Sequence, residues 1–303
     1  MRIFNLNENN LTEIKEKYFN LEKDMQKLTE NNLNKIFNLK LVRSEFELNN
    51  LRIDTLAFDE ENKSFVIIEF KNDKNFSVID QGYAYLSLML NNKADFILEY
   101  NENSEENLKR EDVDWSQSKV IFVAPKFTYY QQRAIHFKDL PIELWEISIY
   151  EQNLMLFNQL KTPESSESIN TLNQNNEFVK KVSTEIKTYT EEEHLDRGSD
   201  ETRGLYQELK EKILNLGDDI EIKPRKWYLG FKKNTNFLDV EFQRSKLKLY
   251  INLKKGELND TEGFSRDVSE IGHWGNGDYE IYLEDKEKLD YIIGLIQQSY
   301  DKN

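Results

Sequence analysis

The spacing of apolar residues divides the chain into segments of different kinds. Residues 11–37, LTEIKEKYFNLEKDMQKLTENNLNKIF, place apolar side chains three and four apart, which predicts helix. LKLVRSEFELNN (39–50) then leads into RIDTLAFDEENKSFVIIEFK (52–71), two strand-length apolar runs with a turn in DEENKS at 59–64. Ser77 is placed to cap a helix over VIDQGYAYLSLMLNN. ADFILEY, SKVIFVAP and IELWEISIY are expected as strands, with a short helix near TYYQQRAIHF between the last two. This order describes one α/β domain over 1–160.

Between 161 and 186 the periodicity is lost, and TPESSESINTLNQNNEF reads as a linker. Order resumes over 187–303. YTEEEHL and ETRGLYQELKEKILNLG predict helices, the second ended by Gly217. RKWYLGFKK, NFLDVEFQR, KLKLYINLKK and DYEIYLE predict strands, and KLDYIIGLIQQSY a closing amphipathic helix. This is a smaller α+β domain.

Composition removes several function classes. The chain has 303 residues and a formal net charge of −15, so attraction to nucleic acid must come from a local patch. With no cysteine, disulfides, thiolate metal sites and cysteine nucleophiles are excluded. No apolar run reaches membrane-spanning length, no signal-type h-region opens the chain and no phosphate-binding GxxxxGK[ST] loop occurs. A cytoplasmic protein without a motor of its own is expected.

The charges inside the apolar hairpin carry the chemistry. Glu69 and Lys71 lie two apart on one strand and so share a face, and the turn at 59–64 brings Asp54 alongside. A solvated surface hairpin would explain such charges without chemistry, but VII immediately before Glu69 implies a strand buried on both faces. Paired carboxylates make a partial Mg²⁺ shell completed by water and phosphate oxygens. A neighbouring lysine can orient or deprotonate an attacking water.

Asp54, then Glu69-Phe70-Lys71, then Gln81 and Tyr85 on the following helix resemble the PD-(D/E)xK nuclease superfamily, nearest its NucS-type endonuclease branch. The likeness covers residues 15–150. It implies a restriction-endonuclease-like mixed sheet flanked by helices. It implies that Asp54 and Glu69 bind Mg²⁺ (or Mn²⁺) with the Phe70 carbonyl, that Lys71 serves the attacking water, and that Gln81 contacts backbone or metal-bound water. A glutamate of the first helix assists, with Glu22 the better match and Glu30 the alternative. The activity implied is Mg²⁺-dependent endonucleolytic cleavage of DNA, in restriction, phage defence or repair. A homodimer and a separate motor or methyltransferase partner are compatible with it. The competing class is a catalytically inactive nucleic-acid-binding or protein-interaction module.

Other stretches point elsewhere. His136-Phe137-Lys138 is half of an H-x-K phosphodiesterase motif without its second copy, and is read as structural; His194 is read as part of a solvated helical turn. Between 223 and 255 a run of basic residues includes Arg225, Lys226, Lys232, Lys233, Arg244, Lys246 and Lys248, opposed within the window by Asp239 and Glu241. Trp227, Tyr228, Phe231, Phe237, Phe242 and Tyr250 interleave with it, a composition that suits phosphate contact with base stacking. The same pattern suits a core with lysines guarding sheet edges. IGHWGNGDYE (271–280) predicts a tight loop with positive φ at its glycines. This C-terminal region also resembles that of bacterial chains labelled predicted transport proteins, which adds a boundary and no mechanism.

Overall fold

The computed structural model describes residues 2–73, 76–137, 140–161, 182, 185–273 and 275–303. The chain divides into two compact units, Met1–Lys187 and Thr188–Asn303. Most of the expected linker, and Lys138 and Trp274, lie outside the described residues. Among the described residues no helix is long and apolar enough to cross a membrane.

The first unit opens with strands β1 (Ile3–Asn7), β2 (Asn10–Ile14) and β3 (Glu16–Lys17), then helices α1 (Glu22–Glu30) and α2 (Leu33–Phe37). Strands β4 (Lys40–Leu48), β5 (Leu51–Asp59) and β6 (Ser64–Phe70) follow, then helices α3 (Val78–Asn91) and α4 (Lys93–Asn103). Strand β7 (Lys119–Ala124), helix α5 (Tyr129–Ala134) and strands β8 (Ile142–Tyr150) and β9 (Met155–Gln159) complete it. A seven-stranded sheet runs β3-β8-β7-β6-β5-β4, with β9 also on β8. β6 is antiparallel to β5 and parallel to β7, so this is a mixed sheet. It matches the expected architecture.

Every residue of β6 is buried, as a central strand covered on both faces requires. On one face Leu56, Phe58, Phe65 and Ile67 pack with Leu86 and Met89 of α3 and Phe96 and Tyr100 of α4. On the other, Ala57, Val66 and Ile68 pack with Met25 of α1 and Leu33 of α2.

Two expected elements are overturned. ADFILEY lies in α4, not a strand: Phe96 and Tyr100, four apart, are its buried residues, and that spacing fits one helical face. The helix expected over 11–37 begins only at Glu22. Upstream, Ile3 pairs with Ile14 and Leu6 with Leu11 in a two-stranded hairpin, so nonlocal pairing wins over helical spacing. Asn38 in the left-handed region (φ 55°) stops α2.

The second unit carries helices α6 (Glu191–Leu195) and α7 (Asp200–Leu214), then strands β10 (Glu221–Pro224), β11 (Leu229–Lys232), β12 (Asn236–Phe242) and β13 (Leu247–Ile251). Strands β14 (Arg266–Asp267) and β15 (Tyr279–Leu283) and helix α8 (Leu289–Lys302) end the chain. Its antiparallel sheet runs β10-β11-β12-β13-β15-β14. Leu205, Tyr206 and Leu209 of α7 and Ile292, Leu295 and Ile296 of α8 pack on its apolar face. Helix α7 closes at Asn215, ahead of Gly217. β10 went unpredicted because EIKP has too little apolar character.

Of the glycines in 271–280 only Gly277 has positive φ (+83°), and a Cβ there would stand 2.2 Å from the Ile251 carbonyl oxygen. Gly277→Ala should therefore destabilise the second unit by about 1–3 kcal/mol. Chemical denaturation of wild type and variant measures it; equal midpoints would contradict the strain argument.

Candidate functional site

The register of β5 on β6, with Thr55 opposite Ile68, sets Asp54 beside Glu69 one step further on, on the face that α3 covers. The Asp54 Oδ2 accepts from the Phe70 N–H at 3.0 Å. Glu69 is 3% exposed. Its Oε1 accepts from Lys71 Nζ at 2.8 Å and from Gln81 Nε2 at 2.9 Å. Its Oε2 is buried without a hydrogen-bond partner. Ser77 accepts from the Asp80 N–H and caps α3, fixing the turn on which Gln81 stands. Gln81 Nε2 also lies 3.2 Å from the Tyr85 hydroxyl, which donates to the Arg52 carbonyl at 3.1 Å. Four residues expected to act together, Asp54, Glu69, Lys71 and Gln81, are thus brought together, with Tyr85 behind them.

The electrostatics follow from crowding. Burial, and then the Glu69 carboxylate, push the Asp54 carboxyl up to about 6, against the opposing pull of the Phe70 N–H and Lys71. Burial and Glu69 likewise push the Tyr85 hydroxyl upward, so it remains a donor.

Helix α1 approaches from the opposite face. Glu22 Oε1 accepts from the Asn72 N–H at 2.6 Å, just past Lys71. One turn on, the buried Gln26 donates from Nε2 to the Asp54 carbonyl at 2.8 Å. Another turn on, Glu30 Oε1 accepts from Thr55 Oγ1 at 2.5 Å. Because Thr55 and Asp54 point to opposite faces, the Glu30 contact lies on the far side of the sheet from the carboxylate pair. Glu22 is the acid nearer the loop that leaves Lys71. Gln26 was missed by sequence reasoning; its signal was a polar residue beside Met25 on the buried side of an amphipathic helix.

Among the described residues no group of three or more His, Cys, Asp or Glu side chains stands close enough to hold a metal ion. Two carboxylates and backbone oxygens remain the donor set, and the orphaned buried Glu69 Oε2 beside the desolvated Asp54 carboxyl fits a cation.

Several cations of the second unit's basic run are ion-paired. Lys223 pairs with Glu221, Lys246 with Glu284, and Lys248 with Glu280 at 2.9 Å. Lys255 pairs with Asp267. Glu221 is a local partner on the strand of Lys223 and Glu241 lies within the window, whereas Asp267, Glu280 and Glu284 come from beyond it and are brought close only by the fold. Tyr228, Phe231, Phe237, Phe242 and Tyr250 are buried, which rules out base stacking on them; Trp227 is half-exposed beneath Lys226. Lys233 lies 4.4 Å from the Tyr300 ring. His194 is buried, with Nε2 2.6 Å from the Arg225 carbonyl, rather than solvated.

A curated protein from Haemophilus influenzae, described as uncharacterized, is 48% identical over 299 residues, covering 99% of each chain. The present chain belongs to that protein's family. Residues 191–303 match a domain of unknown function, DUF5655, so the likeness to transport-labelled chains gains no support. Among solved structures, a repair endonuclease from Pyrococcus abyssi shares 19% identity over 44% of this chain and 50% of its own, at TM-score 0.26. EndoMS in apo form shares 18% over 48% of this chain and 64% of its own, at TM-score 0.29. The chain thus spans half to under two thirds of these solved chains, and at such scores the likeness assigns no residue.

The raised Asp54 carboxyl gives a pH signature. The folded, metal-free protein holds that proton more tightly than the unfolded chain, so its stabilising contribution is full below about pH 4 and is lost as pH rises through about 6. Asp54→Asn should match wild type at pH 4 and be more stable above pH 6, by on the order of 2–3 kcal/mol at most. Thermal melts in EDTA across that range check the sign; a variant less stable than wild type at pH 8 would contradict it.

Proposed function

We propose that the first unit is a divalent-metal-dependent nuclease that hydrolyses phosphodiester bonds, with DNA as substrate and Mg²⁺ as its ordinary ion. The observation that carries this reading is Glu69: a buried carboxylate with one oxygen held by Lys71 and Gln81 and the other left bare, directly beside Asp54. Lys71 offsets part of the cost of burying this carboxylate, and a divalent cation would satisfy the oxygen left bare. The resemblance of Asp54, Glu69, Phe70, Lys71 and Gln81 to the PD-(D/E)xK pattern supports the same reading.

Asp54 Oδ1, Glu69 Oε2 and the Phe70 carbonyl are the oxygens that would hold the ion. When bound, it would polarise the phosphoryl group and offset charge that develops there. Gln81 fixes the rotamer of Glu69 from above, and Glu69 fixes the ammonium of Lys71 from below. Lys71 is therefore held in place to orient a water toward phosphorus and to stabilise negative charge on the phosphoryl oxygens. Glu22 acts through the main chain at Asn72, holding the loop after Lys71, which makes it a positioning residue. The second unit would serve recruitment, with DNA or a protein partner, in a cytoplasmic defence or repair setting.

The test is direct. Purified protein is incubated with linear, nicked, branched and single-stranded DNA in Mg²⁺, Mn²⁺ or EDTA. Asp54→Ala and Glu69→Ala should abolish cleavage while the fold is retained, and Lys71→Ala should slow it by about 10²–10³-fold while divalent-ion binding persists. Cleavage by Asp54→Ala at the wild-type rate would refute the assignment, and a wild-type protein that binds DNA without cutting any of these would favour the non-catalytic module. Within α1, Glu22→Gln should lower the single-turnover rate by about tenfold or more, and Glu30→Gln should leave it nearly unchanged. The reverse order would move the active end of the helix.

A further inference from the structure

Helix α5 holds two adjacent tyrosines away from the protein. Tyr129 is 66% exposed and Tyr130 82%. Aromatic rings normally enter a core or an interface, so an exposed pair on a fixed element calls for a partner. The element is well held. Thr128 and Gln131 form a reciprocal capping box, Gln131 Nε2 donates to the Phe76 carbonyl at 3.1 Å, and Gln132 Nε2 donates to the Phe127 carbonyl at 3.0 Å.

The tyrosines follow β7 at the end of the sheet where the carboxylates lie. The Lys71 N–H donates to the Val123 carbonyl at 2.9 Å, near the end of β7, and α5 starts five residues after β7 ends. Phe76 joins the two places: its ring lies 5.9 Å from Lys71 Nζ and 5.8 Å from the Phe122 ring, while its carbonyl holds Gln131. The two tyrosine rings stand 6.0 Å apart at 76°, and the exposed Arg133 guanidinium lies 5.5 Å from the Tyr129 ring. Lys126, also exposed, precedes the helix.

We propose that Tyr129, Tyr130 and Arg133 form a stacking platform for unpaired nucleobases of the strand presented to the Asp54–Glu69–Lys71 site. Nucleic acid as the occupant rests on the nuclease reading above. Aromatic faces open to solvent stack on any base, whereas bases inside a duplex already stack on each other and offer no free face. Arg133 adds a planar cation, and Lys126 a second positive charge for the backbone. In a chain of net charge −15, attraction to phosphate depends on such local cations. The platform would align a single-stranded segment and leave Lys71 and the carboxylates free for the phosphate.

Fluorescence anisotropy of the full-length protein in EDTA, with labelled oligothymidylate and with a duplex of equal length, tests this without reading cleavage. Tyr129→Ala/Tyr130→Ala should weaken oligothymidylate binding by about tenfold or more and leave duplex binding unchanged, while Tyr129→Phe/Tyr130→Phe should bind as wild type does. Three outcomes overturn the proposal: no oligothymidylate binding by wild type, unchanged binding by the double alanine variant, or equal loss on both ligands. If the alanine variant alters only sedimentation, the patch belongs to a second copy of the chain, which also overturns it. Tyrosine-dependent binding by a protein that cuts nothing would uphold the platform while refuting the nuclease reading.

Discussion

Everything around the candidate site depends on keeping the Glu69 carboxylate buried near the end of a central strand. β6 is covered on both faces and flanked by strands on both edges, so Glu69 is almost wholly withdrawn from water. A charge so placed needs charged or hydrogen-bonding partners. Lys71 reaches it because two residues along a strand restore the same face. Gln81 reaches it because Ser77 starts α3 at a fixed point and Leu86 and Met89 dock that helix on the sheet. The apolar core thereby sets the positions of the polar groups.

The same constraint accounts for the state of Asp54. Once Glu69 is held by Lys71 and Gln81, a second carboxylate beside it in a desolvated spot is raised, although the Phe70 N–H supports it. Two acids, one lysine and one bare oxygen leave a site whose resting charge is poorly balanced. A divalent cation would relieve both acids at once, and this imbalance is what supports the metal proposed above.

Sequence periodicity carried the hairpin, both flanking helices of the central strand and the order of the second unit's main strands, because each has a face buried by local pattern. It failed where pairing is nonlocal. Residues 10–14 pair with 3–7 despite helical spacing, and α4 shows apolar residues that either template accommodates. The convergence of Asp54, Glu69 and Lys71 was legible because strand alternation and one hairpin turn suffice to place them, whereas Gln81 entered through the family resemblance alone. The charge balance of 223–255 was not legible: Glu280 on β15 and Glu284 just past it pair with Lys248 and Lys246 from more than thirty residues away.

Helix α1 meets the hairpin through a row of polar side chains. Glu22, Gln26 and Glu30 follow one another at intervals of four and so form a single stripe. Each grips a different part of the hairpin from behind: the main chain at Asn72, the carbonyl of Asp54 and the hydroxyl of Thr55. The stripe fixes β5 against the exit of β6, which is the relative placement that sets Asp54 beside Glu69. Gln26 is the member with the shortest path to the carboxylate pair, since it bonds the backbone of Asp54 itself. The helix thus carries two acids and one amide that hold the backbone and hydroxyl groups around the carboxylate pair, and the amide, which has no place in the sequence pattern, is the one that bonds the main chain of Asp54 itself.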